Sequence, residues 1–243
     1  MTEPDSNLCT DPHAMLVFLH ATGRLSGRKG RLFSVACCDR VCQHLEEPSR
    51  RAVRVIERIA EGRASEQERA MAQVEATEVS ARLASASFGA HDTPIPPEAY
   101  AAAAVLNLTA STEEEATWLP FGQFIAEQVA MHVVLAERAA LSEAVAERLP
   151  YGEDESSRAL SKLLRDIIGN PFGLVTFEKA WLTPEVVLLA RAIYDGQAFE
   201  RMGVLADTLQ EVGCANADIL GHCRGPGPHV RGCWLLDLVL GKE

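Results

Sequence analysis

Apolar residues recur along this chain at intervals of three and four, the spacing that lines one face of an α-helix, and no short stretch alternates cleanly enough to be a strand. Thr10-Asp11-Pro12 sets a cap and an early proline before Met15, Leu16 and Leu19, and Gly23 closes that pattern. Ser26 precedes a second run, from about 28 to 45. On it Val35, Cys37, Cys38, Val41, Cys42 and Leu45 share one half of the helix, with Asp39, Arg40 and Gln43 opposite. Glu47-Pro48-Ser49 opens a third helix carrying Ala52, Val53, Ile56, Ile59 and Ala60, stopped by Gly62. Ser65 and Glu68 form a capping-box pattern for a fourth, alanine-rich helix through Met71, Val74, Val79 and Leu83.

Residues 88–98, FGAHDTPIPPE, carry three prolines and are the best linker candidate in an otherwise single helical domain spanning 1–243. Beyond it the pattern predicts a helix over 97–108, a start at Ser111-Thr-Glu-Glu114, a break at Pro120 and Gly122, and a long helix over about 123–149. Tyr151-Gly152 marks the next turn. The last third reads as short helices over 156–168, 183–194, 198–212, 216–222 and about 230–240, with an irregular segment, 169–181, anchored by Phe172, Phe177 and Trp181. No internal repeat is visible. The fold class is all-α, a bundle-like array of about nine to eleven helices.

Composition agrees with this reading. At 243 residues, 47% apolar and 23% charged, the chain can build a core without disulfide or metal, and three tyrosines with runs of alanine favour helix over sheet. No run approaches a membrane span, and the acidic opening, MTEPDSNLC, lacks the basic start and apolar centre of a secretory signal. Seven cysteines, two of them adjacent, fit reduced thiols better than a disulfide framework, so a cytoplasmic protein without membrane attachment is expected.

A net charge of −11 argues against general nucleic-acid binding. Charge is segregated, however. Residues 24–40, RLSGRKGRLFSVACCDR, carry Arg24, Arg28, Lys29, Arg31 and Arg40 against Asp39 alone, whereas 113–155 hold ten acids against Arg138 and Arg148. Arg24, Arg28, Lys29 and Arg31 are candidate partner-docking residues, with solvated helix faces as the simpler account.

Chemistry concentrates in 222–234, HCRGPGPHVRGCW. His222, Cys223, His229 and Cys233 are residue types that zinc accepts, although their spacing matches no standard finger or ribbon. The competing account is a stiff corner between two helices. Gly225 to Pro228 would make the turn, and Cys233, Trp234, Leu235 and Leu238 would pack into the core. A cysteine nucleophile paired with His222 or His229 lacks an orienting group and an oxyanion hole in the sequence. Cys37, Cys38, Cys42 and His44 could form half a metal site, but they coincide with an apolar stripe, which favours core packing. His132 reads as a satisfied core or boundary histidine, and Trp118, Trp181 and Trp234 as core anchors. The glycines near Gly225 have neither the strand nor the lysine of a phosphate-binding loop.

From LSKLLRDIIGNPFG and AWLTPEVVLLARAIYDG through HCRGPGPHVRGCWLLDLVLGKE, and at GRLFSVACCDRV near the start, the chain resembles a family of planctomycete-type bacterial proteins without an assigned activity. That resemblance implies a folded helical domain and brings no site residue or cofactor with it. With many capped helices and no catalytic constellation, the sequence points to a non-enzymatic adaptor or regulatory module that binds another protein. The alternative is a zinc-binding or thiol-dependent protein centred on the C-terminal histidines and cysteines.

Overall fold

A computed structural model describes residues 9–88, 94–110, 125–141, 155–173 and 175–242. Among them are eleven α-helices, three short 3-10 turns and no strand, so the all-α expectation holds. In chain order the helices are α1 (Pro12–Ala21), α2 (Gly27–Arg40), α3 (Glu47–Ala60), α4 (Glu66–Phe88), α5 (Pro97–Leu108), α6 (Ile125–Ala139), α7 (Glu155–Ile168), α8 (Pro184–Gly196), α9 (Met202–Glu211), α10 (Ala217–Arg224) and α11 (Trp234–Leu240). Among the described residues no helix is long and apolar enough to cross a membrane. The expected start at Ser111 and the break at Pro120 lie outside the described residues, as does Trp118.

The chain divides into two compact units, and the division falls inside α7, between Ser161 and Lys162. The proline-rich segment is internal to the first unit, where its flanking helices α4 and α5 pack on each other. In that unit α5 pairs with α6, α3 with α4, and α2 with both α3 and α6. Local rules set the ends of these helices. Ser26 accepts from the Lys29 amide at the start of α2. At α4 the capping box closes as expected: the Glu68 amide donates to Ser65 Oγ at 3.2 Å and the Ser65 amide to Glu68 Oε2 at 2.8 Å.

Two elements of the first unit differ from the periodicity reading. The second run leaves the helix at Val41, and Cys42–His44 form a 3-10 turn. Glu46 caps α3 in extended backbone and Pro48 sits in its first turn, so the preceding helix must stop early enough for the chain to turn. Cys42 consequently falls off the apolar stripe and is exposed, while Cys37 and Cys38 are fully buried. In α4 the buried face is Ala72, Ala76 and Val79; Met71 and Val74 are 62% and 59% exposed. Alanine permits close approach to the alanine-rich α5, whose Ala101, Ala102 and Ala104 are buried too, so small residues win the interface over larger ones.

The second unit contains α8 to α11 and the C-terminal end of α7. α8 packs on α9 and α11, and α9 on α10. Its core joins Val186, Ile193, Tyr194, Leu205, Leu209, Ile219, Leu235 and Leu236 with three cysteines, Cys214, Cys223 and Cys233. Trp181 is buried and meets Phe177 edge to face, the ring centres 5.3 Å apart. Asn216 caps α10 by accepting from the Asp218 and Ile219 amides. Gly225 to Cys233 then form a longer corner than the sequence suggests, because α11 begins at Trp234 rather than near Val230. Gly227 and Gly232, at φ 76° and 93°, supply left-handed turns that hold this corner out of helix.

Candidate metal centre

The corner brings four side chains together. Asp166, His222, His229 and Cys233 each offer one ligand atom, and those atoms lie within 4.8 Å of one another. They come from three helices and a loop: Asp166 from the last turn of α7, His222 from α10, His229 from the corner, and Cys233 from the N-cap of α11.

Asp166 is the hub. Its side chain is 2% exposed, and both oxygens are used. Oδ2 accepts from the Val230 amide at 2.9 Å, while Oδ1 lies 2.8 Å from His229 Nδ1 and 3.4 Å from His222 Nε2. The same Nε2 is 3.0 Å from Cys233 Sγ. The two imidazoles meet edge to face at 4.8 Å, and the Trp234 indole lies 5.0 Å from the His222 ring on a tilt. His229, with its side chain 8% exposed, turns Nδ1 to Asp166 and leaves Nε2 buried without a hydrogen-bond partner.

Burial sets the charge state. Burial lowers the His222 pKa to about 4, and the opposing pull of Asp166 only partly offsets it. Burial, then the nearby Asp166 charge, pushes the Cys233 thiol well up. Without a cation, then, the neutral imidazole of His222 and a neutral thiol surround one carboxylate. A bound cation would keep the imidazole neutral and reverse the preference at Cys233 by favouring the thiolate.

Three of the four sequence candidates therefore meet, and Cys223 does not. Consecutive helical side chains point about 100° apart, so when His222 faces the cluster Cys223 turns away from it. Cys223 is 2% exposed in the apolar core, its pKa pushed up to about 12, chiefly by burial and then by Cys214. The missed member is Asp166. Its signal lay in SKLLRDIIG: a carboxylate between Leu163, Leu164, Ile167 and Ile168 is flanked by core positions, and a buried acid requires partners.

Gly169 fixes how α7 meets Trp234. It ends the helix at φ 72°, and a Cβ built there would lie 3.0 Å from the indole Cγ, so a side chain would strain the backbone and crowd the ring beside His222.

The other expected sites look different. Arg28 is committed within its own unit, 2.9 Å from Glu61, whose side chain is 2% exposed. Arg31 reaches back over Gly27, Lys29 is half-buried, and Arg24 is exposed. Of the acidic stretch, 113–124 and 142–154 lie outside the described residues; Glu127 is buried against His13 at 2.5 Å, and Glu137 pairs with Arg40 at 2.8 Å. His44 is 3.4 Å from Glu98, and His132 Nδ1 is 2.8 Å from the Gln128 carbonyl.

No protein-family model, curated protein or solved structure matches the chain.

Proposed function

We propose that the C-terminal unit is a metal-binding helical domain that takes zinc, or a similar divalent ion, on Asp166, His222, His229 and Cys233. One observation carries the reading: four ligand-type side chains, drawn from separate elements, bring one ligand atom each to within 4.8 Å of the others, with the aspartate and the cysteine buried. Tetrahedral zinc, with bonds of about 2.0–2.3 Å, sets neighbouring ligand atoms roughly 3.3–3.6 Å apart. The His222 Nε2 to Oδ1 separation of 3.4 Å already fits, the 3.0 Å from Nε2 to Sγ and the 2.8 Å from His229 Nδ1 to Oδ1 must open by about half an ångström or more, and the widest separations, up to 4.8 Å, must close. Mixed imidazole, thiolate and carboxylate donors suit zinc. His229 is held at the cluster by Nδ1, 2.8 Å from the Asp166 carboxylate.

A thiol nucleophile has less support. Cys233 is fully buried, and a general base would contact the thiol with one ring nitrogen and its orienting carboxylate with the other. Here one nitrogen of His222 faces both groups, which is the arrangement of ligands around a common centre. Of the docking residues read from the sequence, Arg28 pairs with Glu61 at 2.9 Å.

The test is metal analysis of the full chain purified without an affinity tag. About one zinc per chain is expected, lost in Cys233→Ser and in Asp166→Asn and kept in Cys223→Ser. Folded protein that neither retains zinc nor binds it when titrated would overturn the reading.

A further inference from the structure

The cluster is open on one side. A pocket of about 200 Å³ has three of the four ligand residues, Asp166, His222 and His229, in its wall. The fourth, Cys233, is fully buried among the apolar residues of the unit. Glycine makes the opening. Gly221, just before His222 on α10, lines the same pocket with Gly225 and Gly227 of the corner, and a Cβ built on Gly221 would meet nothing within 4 Å. Gly221 and Gly225 stand one helical turn apart, so no side chain covers that edge of the site.

An ion held by the four ligand atoms is therefore sealed on the Cys233 side and reachable on the other. Purely structural zinc sites are closed all round. Size limits what can approach. The pocket far exceeds the roughly 10–15 Å³ that one water requires, yet lies below the roughly 300–1,000 Å³ of sites for drug-sized molecules. Water and compact chelating molecules fit that range.

We propose that the metal is exchangeable cargo, entering and leaving through this pocket by ligand exchange with a small chelating molecule that carries carboxylate or amine donors. The proposal rests on the metal reading above and deepens it. A lone pair of the incoming molecule forms a fifth bond to the ion from the pocket side, and one protein bond then breaks. Asp166, His222 and His229, which face the pocket, are replaced first, and Cys233 is the last to let go. No electrons change hands, and the Cys233 thiolate takes a proton from water as the ion departs.

The test mixes the full chain loaded with zinc with nitrilotriacetate over a range of concentrations and follows the zinc left on the protein with time. The rate of loss is expected to rise in proportion to the chelator, and to fall about tenfold in Gly221→Leu, whose side chain fills the entry while zinc content stays the same. Gly221→Ala, which a helix favours over glycine, should slow the loss by a smaller factor and carries the test if leucine disturbs the fold. Gly203→Leu, on α9 and outside this pocket, has equally open space at its Cβ and should leave the rate as it was. A rate independent of the chelator, set by opening of the unit alone, or a rate unchanged in both Gly221 variants, would overturn the proposal and leave the metal reading intact. A chain that binds no zinc overturns the metal reading, and this proposal with it.

Discussion

Two groups of cysteines and histidines met different fates. Cys37, Cys38, Cys42 and His44 lie within eight consecutive residues, yet they disperse: two thiols into the core of the first unit, one into solvent, and the imidazole toward Glu98. His222, His229 and Cys233, spread over a longer stretch and interrupted by two prolines, converge on an aspartate more than fifty residues earlier. Closeness in sequence works against convergence on a regular helix, because neighbouring side chains point in different directions. An irregular corner between helices frees each side chain to aim inward, and an acid arriving from another element completes the set.

Breaking the hub should have the largest effect. Asp166→Ala leaves the Val230 amide and His229 without their buried acceptor and is expected to destabilise the folded protein by about 3–5 kcal/mol, seen as a shifted urea midpoint. Cys37→Ala, by contrast, removes a buried sulfur with no polar partner role and should cost roughly 1–2 kcal/mol with zinc content unchanged. Equal losses in the two variants would erase the distinction drawn between cluster and core.

Acid should also separate the two groups. In protein stripped of metal, burial lowers the His222 pKa to about 4 against a usual 6.5, with Asp166 and His229 the titratable neighbours facing it. Between those values the unfolded chain binds the extra proton, so stability is complete above about 6.5 and declines as pH falls toward 4, by about 3 kcal/mol at most. His222→Gln should flatten that part of the stability profile; a profile unchanged by the substitution would mean that another group sets it.

A smaller effect probes the frame of the site. Gly169→Ala forces a Cβ into left-handed backbone against Trp234 and should cost about 1–3 kcal/mol, with zinc affinity reduced because the ring packs beside His222. Gly62→Ala shares the positive φ but has nothing within 4 Å of its Cβ, so it should be milder and neutral toward metal.

Helix positions were legible because caps and breakers act locally. Ser26, the Ser65 and Glu68 box, Asn216 and the Thr183-Pro184 start all operate within one turn of the chain. The buried face of α4 was not, since periodicity favours large apolar residues and cannot reveal that α5 presents alanines requiring a close approach. At the site, ligand type identified His222, His229 and Cys233, while Cys223 was drawn in by adjacency. Asp166 was hidden because pairing across elements leaves no local pattern; only its apolar neighbours mark it. The division inside α7 has no breaker in the sequence either, since a continuous helix can pass from one compact unit into the next.

Thiol reactivity gives the smallest perturbation and the sharpest contrast between the two groups. Cys42 is exposed in its 3-10 turn, whereas Cys37, Cys38, Cys214, Cys223 and Cys233 are all buried. Burial further disfavours the thiolate at Cys37, Cys38, Cys223 and Cys233, and the thiolate is the form that reacts. Native protein treated with a disulfide reagent should therefore label most rapidly at Cys42 and next at the half-buried Cys9, and Cys42→Ser should remove the fastest phase while changing stability by no more than about 0.5 kcal/mol. Cys233 should label only on the timescale of opening of the C-terminal unit, and more slowly still when zinc is bound. Rapid labelling of Cys233 in the folded, zinc-loaded protein would show an accessible thiolate, and the cluster would then have to be reconsidered as nucleophilic chemistry rather than coordination.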